Sequence, residues 1–156
     1  AWRMKHRRRA EIIMDKAMTL ESGSTVRPLH IADARNRLRH VFIRDLVLAC
    51  SVGVHRHERV TPQRVRINVD LGVRDEGADL GDDLANVVCY EQIANGVRAI
   101  VTNGHIGLVE TMAESIAAMC LADSRVHSAR VRVEKLDVFS DAASAGVEIE
   151  RISEAG

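Results

Sequence analysis

Residues 64–71 read Arg-Val-Arg-Ile-Asn-Val-Asp-Leu, and this stretch decides the fold. Aliphatic side chains occupy every second position, and charged or amide side chains occupy the positions between them. Because successive side chains of a strand point to opposite faces, the alternation predicts a half-buried antiparallel strand. The expected core side consists of Val65, Ile67, Val69 and Leu71.

The chain before this strand supplies a partner for it. Residues 41–54 are apolar and β-branched enough for a strand that breaks at Gly53. Residues 55–62 are a polar connection, and Pro62 cannot occupy a central-strand position because it lacks an N–H. The two strands are therefore expected to form a long hairpin.

The chain after the strand adds two helices and two more strands. Apolar side chains recur at helical spacing in residues 90–103 and 108–121, after a loop rich in Gly and Asp. Alternating apolar positions return in residues 129–134 and 146–151, which predicts the third and fourth strands. The order ββααββ indicates an α+β domain in which one antiparallel sheet carries both helices on one face.

Two surfaces of this sheet remain open. Its second face carries Arg, Glu and Asn side chains, so it is expected to face solvent or the interior of an oligomer. The two edge strands present unpaired backbone groups that invite pairing with another chain. We therefore expect an oligomer.

The first forty residues differ from the rest. Residues 1–40 are rich in arginine and are interpreted as a partly ordered N-terminal extension, ahead of a domain at residues 41–156. Apolar spacing predicts a short amphipathic helix over residues 12–20 and a second helical turn over residues 31–38.

The composition excludes several classes of protein. The formal net charge is +0, without the basic excess of a nucleic-acid-binding protein. No apolar run reaches the ~20 residues that span a bilayer, and no apolar stretch of a secretory signal follows the basic start. Three widely spaced cysteines without a CxxC motif indicate buried, reduced thiols. We expect a cytoplasmic protein with neither nucleic-acid nor membrane partners.

Several short motifs accompany the ββααββ order, and together they resemble dihydroneopterin aldolase, a family with the tunnelling fold. The motifs are Ser51-Val52-Gly53-Val54, Glu58-Arg59, Pro62-Gln63, Asp82-Asp83-Leu84 before Tyr90, Leu108-Val109-Glu110 with Ala113-Glu114, Glu134-Lys135, and Gly146-Val147 leading to Arg151. Each alone is common, whereas their joint order and spacing are specific.

The resemblance implies a reaction and an assembly. The family cleaves 7,8-dihydroneopterin by a retro-aldol reaction to 6-hydroxymethyl-7,8-dihydropterin and glycolaldehyde in folate biosynthesis, and it also epimerises the side chain at C2′. Neither a metal nor another cofactor is implied, because the pterin ring itself accepts the electrons. The implied assembly is a homo-octamer of two stacked rings of four, with the sites between subunits.

The resemblance also implies how the pterin is bound. Glu110 would accept the two adjacent N–H donors of the pterin edge as a charge-assisted bidentate pair. Backbone groups of Leu108, Val109 and Val88 would line the same ring. The alternative for Glu110 is a carboxylate in the first turn of a helix that only complements the helix dipole.

Lys135, Tyr90 and Glu58 are the implied catalytic residues. Lys135 is expected near ring N5, where a cation supports the change in charge. Tyr90 is expected to relay a proton at the reacting carbons, and Glu58 to hold the side-chain hydroxyls and the lysine, acting across a subunit boundary. The alternatives are a solvated strand-end lysine, a half-buried tyrosine at a helix start, and a surface glutamate paired with Arg56 or Arg59.

Two positions depart from the family pattern. Cys89 stands where Asp or Asn usually precedes the tyrosine, and Leu136 stands where Pro usually follows the lysine, which is expected to loosen the backbone because Pro fixes φ. Cys50 with His55 and His57 has a spacing that can bind zinc. None of the upstream histidines is well placed to complete such a site, however, so we expect an exposed loop without metal.

Three other functions are compatible with these features. An epimerase of dihydroneopterin or its triphosphate would use the same scaffold, with Arg56, Arg59 and Arg64 as candidates for binding phosphate. A pterin-binding protein without catalysis is favoured only by Cys89 and Leu136. A purely structural ring protein would bind no pterin.

Overall fold

The computed structural model describes residues 30–154, in which four antiparallel strands form one sheet in the order β1-β2-β3-β4. The strands are β1 (Leu38–Cys50), β2 (Gln63–Arg74), β3 (Val126–Lys135) and β4 (Ala145–Ile152). The helices are α1 (Arg56–Val60), α2 (Tyr90–Thr102) and α3 (Val109–Leu121), with a 3₁₀ turn at Leu84–Asn86. The predicted α+β class and the ββααββ order of the main elements are confirmed.

The hairpin of β1 and β2 carries a bulge. Its register shifts between Ile43 and Leu46, and Asp45 within the bulge has a φ of 56°. The backbone N–H of Asp45 donates to Asn68 Oδ1 at 2.8 Å, which satisfies a group that the bulge removes from the ladder. The bulge therefore bends β1 without leaving this donor unpaired.

The core lies between one face of the sheet and the inner sides of α2 and α3. Its largest fully buried side chains include Ile67, Leu71, Met112, Ile116, Val97 and Val131. All apolar positions predicted for the core side of β2 are buried there. Burying a side chain of this size stabilises the fold by about 1.5–3 kcal/mol, so this core holds the two helices against the sheet.

The opposite face of the sheet is polar, and part of it is buried. Asn68 and Asp70 are only 6% and 5% exposed, so β2 is not the half-buried strand that the alternation predicts. Both side chains are shielded from solvent by β1: its bulge lies over Asn68, and His40 Nε2 lies 2.8 Å from Asp70 Oδ1. Further along this face, the hydrogen bonds from Arg66 hold the pKa of Glu134 at about 2.

Two connections differ from the sequence predictions. Residues 31–38 form a turn rather than a helix, because the Asp33 side chain accepts hydrogen bonds from the backbone N–H groups of Arg35 and Asn36. The polar connection before β2 contains α1, which was not predicted. The helix predicted over residues 12–20 lies outside the described residues.

Among the described helices, none is long and apolar enough to cross a membrane.

Candidate active site

Lys135, the last residue of β3, forms an ion pair with Glu58 of α1. Lys135 Nζ donates to Glu58 Oε1 at 2.7 Å, and the two side chains are 16% and 7% exposed. The hydrogen bond from Lys135 lowers the pKa of Glu58 to about 2. Glu58 is therefore a carboxylate at neutral pH, and it holds the ammonium group at a defined place at the end of the sheet.

The turn between β1 and α1 surrounds the Glu58 carboxylate. The backbone N–H of His55 donates to its Oε2 at 3.0 Å, and Gln63 Nε2 donates to its Oε1 at 3.1 Å. Gly53 has a φ of 130°, and a Cβ at this position would overlap the carboxylate. Glycine is thus required at position 53 both by its backbone angle and by the close approach of Glu58.

These contacts overturn two of the alternatives drawn from the sequence. Glu58 is not a surface residue paired with Arg56 or Arg59, because its carboxylate turns inward to the β1–α1 turn and to Lys135. Lys135 is not a solvated strand-end residue, because most of its side chain is covered. The expectation that Glu58 holds the lysine across a subunit boundary is also wrong, because the contact is made within one chain.

A second layer of contacts joins this turn to the loop before α3. Gly53 N–H donates to the Ile106 carbonyl at 3.0 Å, and Ile106 N–H donates to the Ser51 carbonyl at 3.1 Å. His105 lies beside this bridge, with Nδ1 at 2.6 Å from Ser51 Oγ and Nε2 at 2.7 Å from the Gly53 carbonyl oxygen. Ser51 was recognised only as part of a motif and His105 not at all, because no local pattern signals a contact between residues so distant in the chain.

Glu110 stands in the first turn of α3, directly after this bridge, and so lies at the same end of the sheet as Lys135. It is exposed, and within residues 30–154 its carboxylate makes neither a hydrogen bond nor an ion pair. Leu108 is the N-cap of α3 and is 50% exposed, and Val109 follows it as the first helical residue. The predicted binding residues Leu108, Val109 and Glu110 therefore form one accessible edge.

Tyr90 and Val88 lie at the other end of the sheet. Tyr90 is the first residue of α2, is 68% exposed, and borders a cleft of about 480 Å³ together with Val73 and Arg125. Val88 is buried beside the same cleft. The alternative of a half-buried tyrosine is wrong, since Tyr90 is mostly exposed at the helix start.

The separation between Lys135 and the Tyr90 cleft follows from the register of β2 with β3. Val65 pairs with Lys135, whereas Val73, next to the Tyr90 cleft, pairs with Val126 at the other end of β3. At the ~3.3 Å rise per strand residue, the two pairs are about 25 Å apart. Side chains cannot span this gap, so one chain places Lys135, Glu58 and Glu110 at one end of the sheet and Tyr90 at the other.

A cavity of about 520 Å³ adjoins the Glu58 carboxylate. Its lining includes His55, His57, Thr61, Pro62, Gln63 and Asp137. The two histidine side chains are exposed, as predicted, and their rings stack with centroids 5.7 Å apart. Arg64, one of the predicted phosphate-binding candidates, is paired with Asp137 at 2.7 Å. All three candidates, Arg56, Arg59 and Arg64, are exposed.

The family model for dihydroneopterin aldolase (FolB) matches residues 41–150. The chain belongs to the dihydroneopterin aldolase family. A curated relative, the dihydroneopterin aldolase of Escherichia coli strain K12, is 31% identical over 111 residues, which cover 71% of this chain and 91% of the relative. The family predicted from the motifs is thereby confirmed.

Solved structures of family members share the fold. Dihydroneopterin aldolase from Burkholderia thailendensis bound to guanine is 34% identical, with a TM-score of 0.69 over 80% of this chain and 100% of that chain. The E. coli dihydroneopterin aldolase in complex with neopterin is 30% identical, with a TM-score of 0.67 over 72% of this chain and 98% of that chain. The relatives thus confirm the predicted lyase class, dihydroneopterin aldolase.

The two departures from the family pattern have different structural consequences. Cys89 is the N-cap of α2 and makes no capping hydrogen bond with its side chain. Leu136 N–H donates to the Arg64 carbonyl at 3.1 Å, a bond that a proline cannot make. The expected loosening after the lysine is therefore wrong, because this bond extends the β2–β3 pairing past Lys135.

Proposed function

We propose that this protein cleaves 7,8-dihydroneopterin by a retro-aldol reaction, at a site that two copies of the chain build together. The observation that carries the proposal is the largely covered Lys135–Glu58 pair at the same end of the sheet as the unengaged carboxylate of Glu110, in a member of this family. One copy supplies these three residues from one end of its sheet. A neighbouring copy supplies Tyr90 and the backbone of Val88 from the opposite end of its own sheet.

Glu110 is the anchor for the pterin ring. A pterin presents an amino group beside a ring N–H, and a carboxylate without another partner accepts both as a bidentate pair. The backbone of Leu108 and Val109 lies along the same edge. The guanine and neopterin bound to the two relatives support this role, because both ligands carry the same pair of adjacent donors.

The reaction breaks the C1′–C2′ bond of the side chain. A base removes the proton of the C2′ hydroxyl, C2′ becomes the carbonyl carbon of glycolaldehyde, and the electron pair of the broken bond passes into the C6–N5 system of the ring. C1′ then takes a proton to give the hydroxymethyl product. Each step moves charge toward or away from the ring, so charged or hydrogen-bonding side chains held beside the ring lower the activation barrier.

The three catalytic side chains divide this work. Lys135 places a positive charge at N5, where electron density accumulates. Glu58 holds the ammonium in place and accepts a hydrogen bond from a side-chain hydroxyl. Tyr90 of the neighbouring copy transfers protons to and from the reacting carbons, as a phenol can act as acid and base. Its exposure makes the phenol accessible to a site on another chain.

The open edges of the sheet support assembly into rings. Within the described residues, no strand pairs with the outer edge of β1 or of β4. Exposed apolar side chains stand on both, Phe42 and Val47 on β1 and Ile152 on β4. Pairing β1 of one copy with β4 of the next closes these edges. We propose a homo-octamer of two rings of four, in the cytoplasm, where the free thiols of Cys50, Cys89 and Cys120 stay reduced.

The direct test incubates the purified protein with 7,8-dihydroneopterin and measures glycolaldehyde and 6-hydroxymethyl-7,8-dihydropterin. The proposal expects both products from the wild type and a loss of about 10²–10⁴-fold in Lys135→Ala, the range for removing a positioned acid or base. Isomerised substrate without cleavage would indicate an epimerase. Neopterin binding without any reaction would indicate a pterin-binding protein and would overturn the proposal.

A further inference from the structure

His105 holds the segment of residues 51–53 at two points. The Gly53 carbonyl oxygen can only accept, so His105 Nε2 carries the proton that it donates across 2.7 Å. In the neutral ring Nδ1 is then an acceptor, and it receives the hydroxyl proton of Ser51 across 2.6 Å. One imidazole thus spans both ends of this short segment.

The held segment forms a wall of the Glu58 site. The Glu58 carboxylate lies against Gly53, in the space that a Cβ would need. The Val52 carbonyl accepts from Gln63 Nε2 at 2.7 Å, and the same amide group donates to Glu58 at 3.1 Å. A displacement of residues 51–53 would therefore move the carboxylate that fixes Lys135.

His105 also belongs to the loop that leads into the accessible edge formed by Leu108, Val109 and Glu110. Its neighbour Ile106 is bonded through the backbone to Ser51 and Gly53, and α3 begins at Val109. The imidazole therefore cross-links two segments: the one that carries the Glu110 anchor and the one that encloses Glu58.

We infer that His105, with Ser51, is a positioning residue that sets the placement of the Lys135–Glu58 pair relative to the Glu110 anchor. The inference rests on the proposed function for the roles of these three residues. His105 does not touch the substrate. It acts by keeping the reacting bond aligned with the lysine, an alignment in which an error of about 1 Å costs on the order of 10²-fold in rate.

The test compares kcat and neopterin binding in His105→Ala, His105→Gln and Ser51→Ala. The inference expects kcat to fall about 10- to 100-fold in His105→Ala, while the Kd for neopterin stays within about threefold because Glu110 is untouched. Gln keeps an N–H donor near the position of Nε2, so His105→Gln should recover most of kcat. Ser51→Ala removes one of the two contacts and should lower kcat by about fivefold, the effect of one hydrogen bond.

Val97→Ala is the matched control for stability. Val97 is fully buried in the middle of α2 and takes no part in the hydrogen bonds of His105, so the variant loses stability without removing either of these contacts. All variants are assayed at a temperature where each is folded. A kcat loss in His105→Ala no larger than in Val97→Ala, or no recovery in His105→Gln, would overturn the inference.

Hydrogen exchange separates this inference from the proposed function. The backbone N–H of His55 is hydrogen-bonded to Glu58, and that of Gly53 to Ile106. Loss of the two His105 contacts in His105→Ala should speed the exchange of both amides about tenfold. Unchanged exchange at both amides would overturn the inference even if the wild type proved inactive. An inactive wild type with faster exchange in the variant would overturn only the proposed function.

Discussion

Lys135 Nζ lies 2.7 Å from Glu58 Oε1 although 77 residues separate the two in the chain. The lysine is on β3 and the glutamate is on α1, between β1 and β2, so the contact forms only when the hairpin and the third strand are both in place. One folded chain therefore contains the charged half of the candidate site before any partner binds. The tyrosine half lies at the opposite end of the same sheet.

The first prediction concerns the strength of this buried pair. A double-mutant cycle of Glu58→Gln and Lys135→Met, followed by urea unfolding, should give a coupling energy of about 2–3 kcal/mol. The reason is that each single change leaves a charge in a covered place without its counter-ion.

Arg64 and Asp137 form the matched control for this cycle. They make an ion pair of the same 2.7 Å length close to the site, but their side chains are 62% and 44% exposed. Their coupling should stay below about 1 kcal/mol. Equal coupling energies for the two pairs would mean that the cover over Lys135 and Glu58 has no energetic effect.

The second prediction concerns the pterin anchor. Glu110→Ala should weaken neopterin binding on the order of 100-fold, because two charge-assisted hydrogen bonds are lost. Glu114 is the control, since it lies one turn further along α3 and pairs with Arg151. Isothermal titration of both variants checks this; an affinity of Glu110→Ala like that of Glu114→Ala would exclude the anchor role.

The third prediction is a loss of stability in acid. The pKa of Glu58 and that of Glu134 are both about 2 in the folded protein, against ~4.3 in an unfolded chain. The folded state binds fewer protons between these values, so the stabilisation is complete above about pH 4.5 and is lost as the pH falls toward 2. Each carboxylate contributes up to about 3 kcal/mol.

Urea unfolding at about pH 7, 4 and 3 measures this loss. Glu134→Gln should flatten the dependence, because it removes one of the two titrating groups. Glu148→Gln should leave the dependence as it is, since Glu148 makes only a 3.8 Å ion pair with Arg130 on the edge of the same face. A wild-type free energy of unfolding that does not change between pH 4 and pH 3 would contradict the prediction.

Local periodicity predicted most of the fold. The alternation around Val65 and Ile67 and the helical spacing after Tyr90 each depend on neighbours a few residues away, so the main strands and helices could be located. The motifs then identified the family. The burial of Asn68 and Asp70 on the second face of the sheet could not be predicted. It depends on a bulge at Asp45 and on His40, both of which lie on β1.

The site was predictable as a set of residues but not as a geometry. Resemblance to the family named Glu58, Tyr90, Glu110 and Lys135 without showing that Tyr90 lies at the opposite end of the sheet from the other three. That result depends on the register of β2 with β3, which spans the whole domain. His105 gave no signal, because its importance comes entirely from contacts with a distant turn.

The fourth prediction, that two copies build each site, is tested most directly by mixing inactive variants. Tyr90→Ala and Lys135→Ala should each be inactive alone. When equal amounts are unfolded together and refolded, about one quarter of the sites should combine an intact lysine half with an intact tyrosine half, by random pairing around a symmetric ring. Recovery of about one quarter of wild-type dihydroneopterin cleavage is the expected result. No recovery, in mixed oligomers shown to contain both variants, would contradict a site shared between chains.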